Sequence, residues 1–152
     1  MKLRVVWIGK TKDPHLSELI QDYVARIRRF LPVEVTETRE PRVEASKRLE
    51  AEAEKLLNVL DKSDRVVVLD PQGQAWTSVG FAGVVERHMR DDPRNLTFVI
   101  GGFSGLADRV KERADVQWSL SSLTFTHDLA RVLVLEQIYR ALSIIHNHPY
   151  SK

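Results

Sequence analysis

Three stretches in this chain are apolar at nearly every position: Lys2 to Ile8, Arg65-Val66-Val67-Val68-Leu69-Asp70, and Leu96 to Ile100. A strand with one wet face alternates apolar and polar residues. A continuous run needs cover on both faces, which is the condition of a strand inside a parallel sheet. Helical periodicity fills the intervals. His15 to Phe30 places Leu16, Leu19, Ile20, Tyr23, Val24, Ile27 and Phe30 on one stripe, with Pro14 where a first helical turn tolerates it. Val43 to Leu60 aligns Leu49, Ala53, Leu56, Leu57 and Leu60. Thr77 to Arg90, Ala107 to Arg113 and Asp128 to Asn147 complete the helices, and Val33 to Thr38 and Val116 to Leu120 add short strands. Pro71-Gln72-Gly73-Gln74 reads as a turn. Strand and helix alternate five times, so the expected class is α/β: a mostly parallel sheet with helices on both faces. No Pro-, Gly- or Ser-rich linker interrupts residues 1–152, so they are expected to form a single domain.

Composition removes several functional classes. There is no cysteine, so disulfides, zinc ribbons and thiol catalysis are excluded. No stretch of about 18 residues is free of charge, so no membrane span or membrane partner is expected. The run from Met1 to Gly9 is too short for a secretory signal and reads as a first strand, which fits a cytoplasmic location. The formal net charge is +2, a mildly basic balance that permits a nucleic-acid partner without requiring one.

The last helix is unusual. Leu129, Val132, Leu133, Val134, Leu135, Ile138, Leu142, Ile144 and Ile145 cover nearly its whole circumference, which predicts a subunit interface in a chain this small. Glu136 and Arg140 are spaced to pair along it. Ligands of open parallel sheets bind beyond the carboxyl ends of the strands. Three such ends stand out: Leu69-Asp70-Pro71, Ile100-Gly101-Gly102 and Leu120-Ser121-Ser122-Leu123. Gly101 and Gly102 allow close backbone approach or form a tight turn. Leu120 to Phe125 could clasp a flat purine, or could simply lead into a helix capped by Thr126 or Asp128. Neither G-x-G-x-x-G nor G-x-x-x-x-G-K-[ST] occurs. His146 and His148, two apart at a helix end, are a weak metal signal, so no metal is expected. Asp70 is a turn-former or a catalytic acid. The basic clusters Arg26, Arg28 and Arg29, then Arg39 and Arg42, then Arg109, Lys111 and Arg113 become phosphate contacts only if they share a surface with the site.

Taken together, Ile100-Gly101-Gly102 with Gly105, Trp118-Ser119-Leu120-Ser121 with Leu123-Thr124, His127, Arg131-Val132-Leu133, Glu136 to Ala141 and Asn147-His148-Pro149-Tyr150 resemble one family. It is the bacterial ribosomal RNA large subunit methyltransferase H family, of the SPOUT class. The resemblance implies a SPOUT-type α/β knot with a C-terminal trefoil knot, a homodimer, and S-adenosyl-L-methionine as cofactor with S-adenosyl-L-homocysteine as product. It implies methylation of N3 of a pseudouridine in 23S rRNA, within the large subunit or the assembled ribosome. Leu69, Gly101, Leu120, Ser121, Ser122, Leu123, Thr124 and Phe125 match the family's cofactor positions. Phe103 and Asp128 stand where related members carry proline.

Methylation at N3 requires removal of a proton from a uracil-type ring and stabilisation of the resulting anion. His127, Arg131, Arg140, His148 and Tyr150 are the expected catalytic candidates, with the tail of one subunit closing over the cofactor loop of the other. The rival expectations are a SPOUT enzyme acting on another RNA such as tRNA, and a non-catalytic RNA-binding protein of the same fold.

Overall fold

The computed structural model describes residues 1–150. Its elements in order are β1 (Leu3–Ile8), α1 (Pro14–Ile27), β2 (Val33–Thr38), α2 (Ala45–Val59), β3 (Arg65–Ala75), α3 (Ser78–Asp91), β4 (Leu96–Ile100), α4 (Asp108–Arg113), β5 (Val116–Ser119) and α5 (His127–Ile145). Pro14 opens α1, where its missing N–H costs nothing, and Asp13 caps the first turn. The five strands form one sheet in the order β2-β1-β4-β3-β5, and every pairing is parallel. All carboxyl ends therefore collect along one edge.

The continuous apolar runs are explained by cover on both faces. Leu3, Val5 and Trp7 of β1 join Ile20, Val24 and Ile27 of α1, Phe81 and Val85 of α3, and Leu135, Ile138 and Leu142 of α5. Val6 and Ile8 point the other way, toward Ala53 and Leu56 of α2 and Val110 of α4. The connections β1-α1-β2 and β3-α3-β4 step one way along the sheet with their helices on the first face. Those through α2 and α4 step the other way on the second face. Direction and face reverse together, so all four crossovers share one hand, as parallel connections do.

One expectation from the sequence is narrowed and another is corrected. The apolar circumference of α5 is covered largely within this chain, because α5 packs against α1, α3 and β4. Val134, Leu135, Ile138, Ala141 and Leu142 are completely buried. That helix alone therefore does not demand a partner subunit. Pro71 to Gln74 is not a turn that ends β3. The strand continues to Ala75, with a bulge in which Leu69 and Gln74 both face Trp118 of β5. A Cβ at Gly73 would lie 2.5 Å from the Gln117 carbonyl carbon, so only glycine lets the bulge close on β5.

Arg131 fastens α5 to the end of β1. It has no exposed surface, and its guanidinium lies 4.9 Å from the Trp7 ring centroid. It donates to the Ile8 carbonyl at 2.6 Å and to Thr11 Oγ1 at 2.9 Å, and it pairs with Asp128 at 3.2 Å. Burial lowers its hold on the proton, and Asp128, Glu37 and Glu40 oppose that. Arg131→Met would keep the packing and strand the Ile8 carbonyl and Asp128. A destabilisation of about 3 kcal/mol is expected in urea unfolding, with Arg131→Lys recovering only part of it.

Candidate active site

The three strand ends marked in the sequence do not converge equally. Leu69, Asp70 and Pro71 of β3 meet Trp118, Leu120, Ser121, Leu123, Thr124 and Phe125 around a cavity of about 130 Å³, closed by Ala130 of α5. Short polar links shape the 120–126 loop. Ser119 Oγ donates to the Ser121 carbonyl at 3.1 Å, and Ser121 Oγ accepts from the Leu123 N–H at 3.0 Å. Thr126 then caps α5 by accepting from the Leu129 N–H. This leaves Ser122, Thr124 and Phe125 without main-chain hydrogen bonds to any described residue. Leu123 is 70% exposed at the rim, although it is a large apolar side chain. An apolar wall beside free main-chain donors and acceptors suits a flat heterocycle whose edge carries both. Ser122 is not among the residues that line the cavity.

Gly101 stands apart from this cavity. A Cβ there would meet the Gly105 carbonyl oxygen at 2.6 Å and Leu106 at 3.0 Å. The glycine is thus required by the chain's own turn, in which the Gly105 N–H donates to the Gly102 carbonyl at 2.9 Å and Gly105 adopts φ +79°. That turn lifts Phe103 to its tip, 79% exposed. Asp70 acts as a turn-former: Oδ1 accepts from the Gln72 N–H, and Oδ2 pairs with Lys111.

The five catalytic candidates fall at the two ends of α5. At the head, His127 Nε2 lies 3.3 Å from Asp128 Oδ1, and Asp128 also pairs with Arg131. Arg131 is enclosed, with both terminal nitrogens engaged and only Nε left without a partner among the described residues, so it positions this first turn and lines neither cavity. At the tail, Arg140 pairs with Glu136 as its spacing predicts. Asn147, at φ 55°, ends the helix in a left-handed residue, and the His148 N–H reaches back to the Ser143 carbonyl. The chain folds over α5. Tyr150 packs edge-on against Tyr139 at 4.6 Å, donates to Glu136 Oε1 at 2.9 Å and lies 3.2 Å from the Tyr23 hydroxyl. Burial, aided by Tyr23 and Glu136, strengthens its hold on its proton. His148 is exposed beside the Phe30 ring. Ser151 and Lys152, the last residues of the expected tail, lie outside the described residues. At 1.5 Å per residue, His127 and Arg140 are about 20 Å apart along the helix, so one chain does not gather the five around one point.

The basic clusters also divide. Arg26 pairs with Asp22, Arg109 with Glu50, Lys111 with Asp70 and Arg113 with Asp115. Arg39 and Arg42 pair with no carboxylate among the described residues. They line a cleft of about 1340 Å³ together with Lys10, Lys12, Lys47 and Arg48. These four lysines and arginines were not singled out in the sequence. The available signal was that Lys10 and Lys12 directly follow a strand's carboxyl end. No group of three or more His, Cys, Asp or Glu side chains among the described residues could hold a metal ion. No helix among the described residues is long and apolar enough to cross a membrane.

Comparison with known proteins places this arrangement in context. The family model described as "Predicted SPOUT methyltransferase" matches residues 1–151. A Geobacter sulfurreducens protein named ribosomal RNA large subunit methyltransferase H is 42% identical over 151 residues, covering 99% of both chains. A Trichlorobacter lovleyi protein of the same name is 40% identical over 153 residues, again covering 99% of each. Among solved structures, a chain described as "Probable Methyltransferase" from Bordetella pertussis Tohama I superposes with a TM-score of 0.60 at 14% identity. The match covers 93% of this chain and 94% of that one, and it is a likeness of fold. With a full-length family match and relatives at this identity, the chain belongs to the SPOUT methyltransferases, in the ribosomal RNA large subunit methyltransferase H family.

Proposed function

We propose that this chain transfers a methyl group from S-adenosyl-L-methionine to N3 of a pseudouridine in 23S rRNA. It works as a cytoplasmic homodimer on the assembled ribosome. Residues 1–152 act as one SPOUT domain threaded as a trefoil knot. The names carried by its full-length relatives support the reaction class and the RNA. The observation in the chain itself that carries the reading is the Leu120–Phe125 loop, with its apolar wall and unused main-chain groups.

The loop fits the adenine of the cofactor. Leu69, Leu120 and Leu123 would cover its faces, and main-chain groups of Thr124 and Phe125 would read its edge. At about 130 Å³ the cavity is below the roughly 300 Å³ where small-molecule sites usually begin, so it would bury part of the cofactor. Gly101 contributes through the turn it holds, one strand away. When bound, the cofactor supplies an electrophilic methyl group; the protein's tasks are to orient the base and take up one proton. Arg131 holds the first turn of α5, whose His127 lines a cavity of about 290 Å³ beside Gly102 and Phe103. Arg140, His148 and Tyr150 of one subunit complete the loop of the other. Tyr150 keeps its proton and donates it to Glu136, so it would serve as a donor toward a ring oxygen only by exchanging that partner for the base. The separation of the two groups along α5 supports a site shared between subunits.

Labelled S-adenosylmethionine tests the reading with free 23S RNA, large subunits and assembled ribosomes in parallel. Label is expected in pseudouridine of 23S rRNA, highest with assembled ribosomes. Label entering only tRNA, or cofactor binding without turnover on any RNA, refutes it. Leu123→Ser should leave thermal stability unchanged, because the side chain is exposed, and should raise the cofactor Kd roughly tenfold in calorimetry. Deleting Pro149 to Lys152 should abolish transfer and leave cofactor affinity within about twofold. Full turnover by the truncated chain would contradict a role for the tail.

A further inference from the structure

The cleft at the carboxyl ends of β1 and β2 has no part in cofactor binding as described above. Its lining includes Lys10, Lys12, Arg39, Arg42, Lys47 and Arg48, opposed by Glu37, Glu40 and Glu44. That local excess of three positive charges is larger than the +2 of the whole chain, so the rest of the molecule carries slightly more negative than positive charge. None of the six cations pairs with a carboxylate among the described residues, whereas most other arginines in the same fold are paired. Two of the opposing carboxylates are already engaged. Glu37 accepts the Trp7 indole N–H at 3.0 Å, and Glu40 lies folded against Gly9, where its Oε1 would be 2.8 Å from an added Cβ.

The cleft continues into a second cavity of about 290 Å³ that shares Lys10, Lys12, Glu40 and Arg48 with it. Gly102, Phe103, His127 and Asp128 form the far side. Asp128 is paired with Arg131, and burial raises the Glu52 carboxyl above its ordinary value. Phe103 stands at the tip of its turn with an aromatic face in solvent. Unpaired cations along a groove that ends at an exposed aromatic ring match the needs of single-stranded RNA. Phosphates require cations, and an unstacked base requires a flat apolar platform.

We propose that this groove is the RNA track of the enzyme, with Arg39, Arg42, Lys47 and Arg48 on phosphates and Phe103 stacked on a base flanking the target. The proposal rests on the RNA-methyltransferase reading and adds to it the path by which the strand reaches His127. An anionic membrane surface would be attracted by the same charges and could take up an exposed phenylalanine, but a broad surface cannot follow the cations into a concave cleft as a single strand can.

The test uses the full chain, its Arg39→Gln/Arg42→Gln double variant and Phe103→Ala. Binding to assembled ribosomes and to a single-stranded fragment of 23S RNA is measured over a series of salt concentrations. Cofactor affinity is measured on the same preparations. The double variant should bind RNA at least tenfold more weakly, with the slope of log K against log salt reduced by about 1.4, at unchanged cofactor affinity. Phe103→Ala should weaken binding roughly tenfold with the slope unchanged. Wild-type slope and affinity in a double variant that binds cofactor normally overturn the track and leave the methyltransferase reading standing. Wild-type protein that binds cofactor but no RNA overturns both. Tighter binding to phosphatidylglycerol vesicles than to RNA, lost in the same double variant, overturns RNA as the occupant.

Discussion

The Arg131 guanidinium ties together the parts of the molecule that matter for chemistry. A helix laid on a parallel sheet can slide along it at modest cost, because apolar packing is not directional. One cation inserted between a strand's last carbonyl, a threonine hydroxyl and a tryptophan face removes that freedom. The first turn of α5 is fixed to the end of β1, so the 120–126 loop, which runs directly into that turn, is fixed at one end too. Its other end is held by the pairing of β5 with β3. Both cavities beside α5 thus derive their shape from a buried charge that lines neither of them.

Much of the architecture was legible because burial on both faces leaves a plain mark. Val66 to Leu69 and Leu96 to Ile100 have no polar alternation, and β2 and β4 fall at the expected residues. The misreading of Pro71 to Gln74 has a physical origin. Proline and glycine in a row signal a turn locally, whereas here Gly73 is selected by the backbone of β5, which is distant in sequence. Likewise, the apolar girth of α5 records how many neighbours it has but not whose chain they belong to. Two helices of its own chain and the sheet turned out to supply most of them.

The candidate site was legible in part. Leu69 and the 120–125 loop do share a cavity, since strand order places β3 beside β5. Gly101 does not join them, because the tightness that selects glycine there comes from Gly105. Charge patterning was the least informative signal. Arg109 and Arg113 look like Arg39 and Arg42 in a sequence, yet each of the first two is ion-paired with a carboxylate and neither of the second two is, among the described residues. Ion pairing is a property of which elements the fold sets side by side, and no local pattern encodes it.

The length of α5 has one more implication. A 19-residue helix spans about 28 Å, and this one has two of the five polar candidates at its head and three at or just beyond its tail. Paired head to tail about a two-fold axis, two copies would bring each head to the other's tail, and both sites would be completed in the same event. Under dilution the working species would then disappear with the square of chain concentration, and no partly active form would remain in solution.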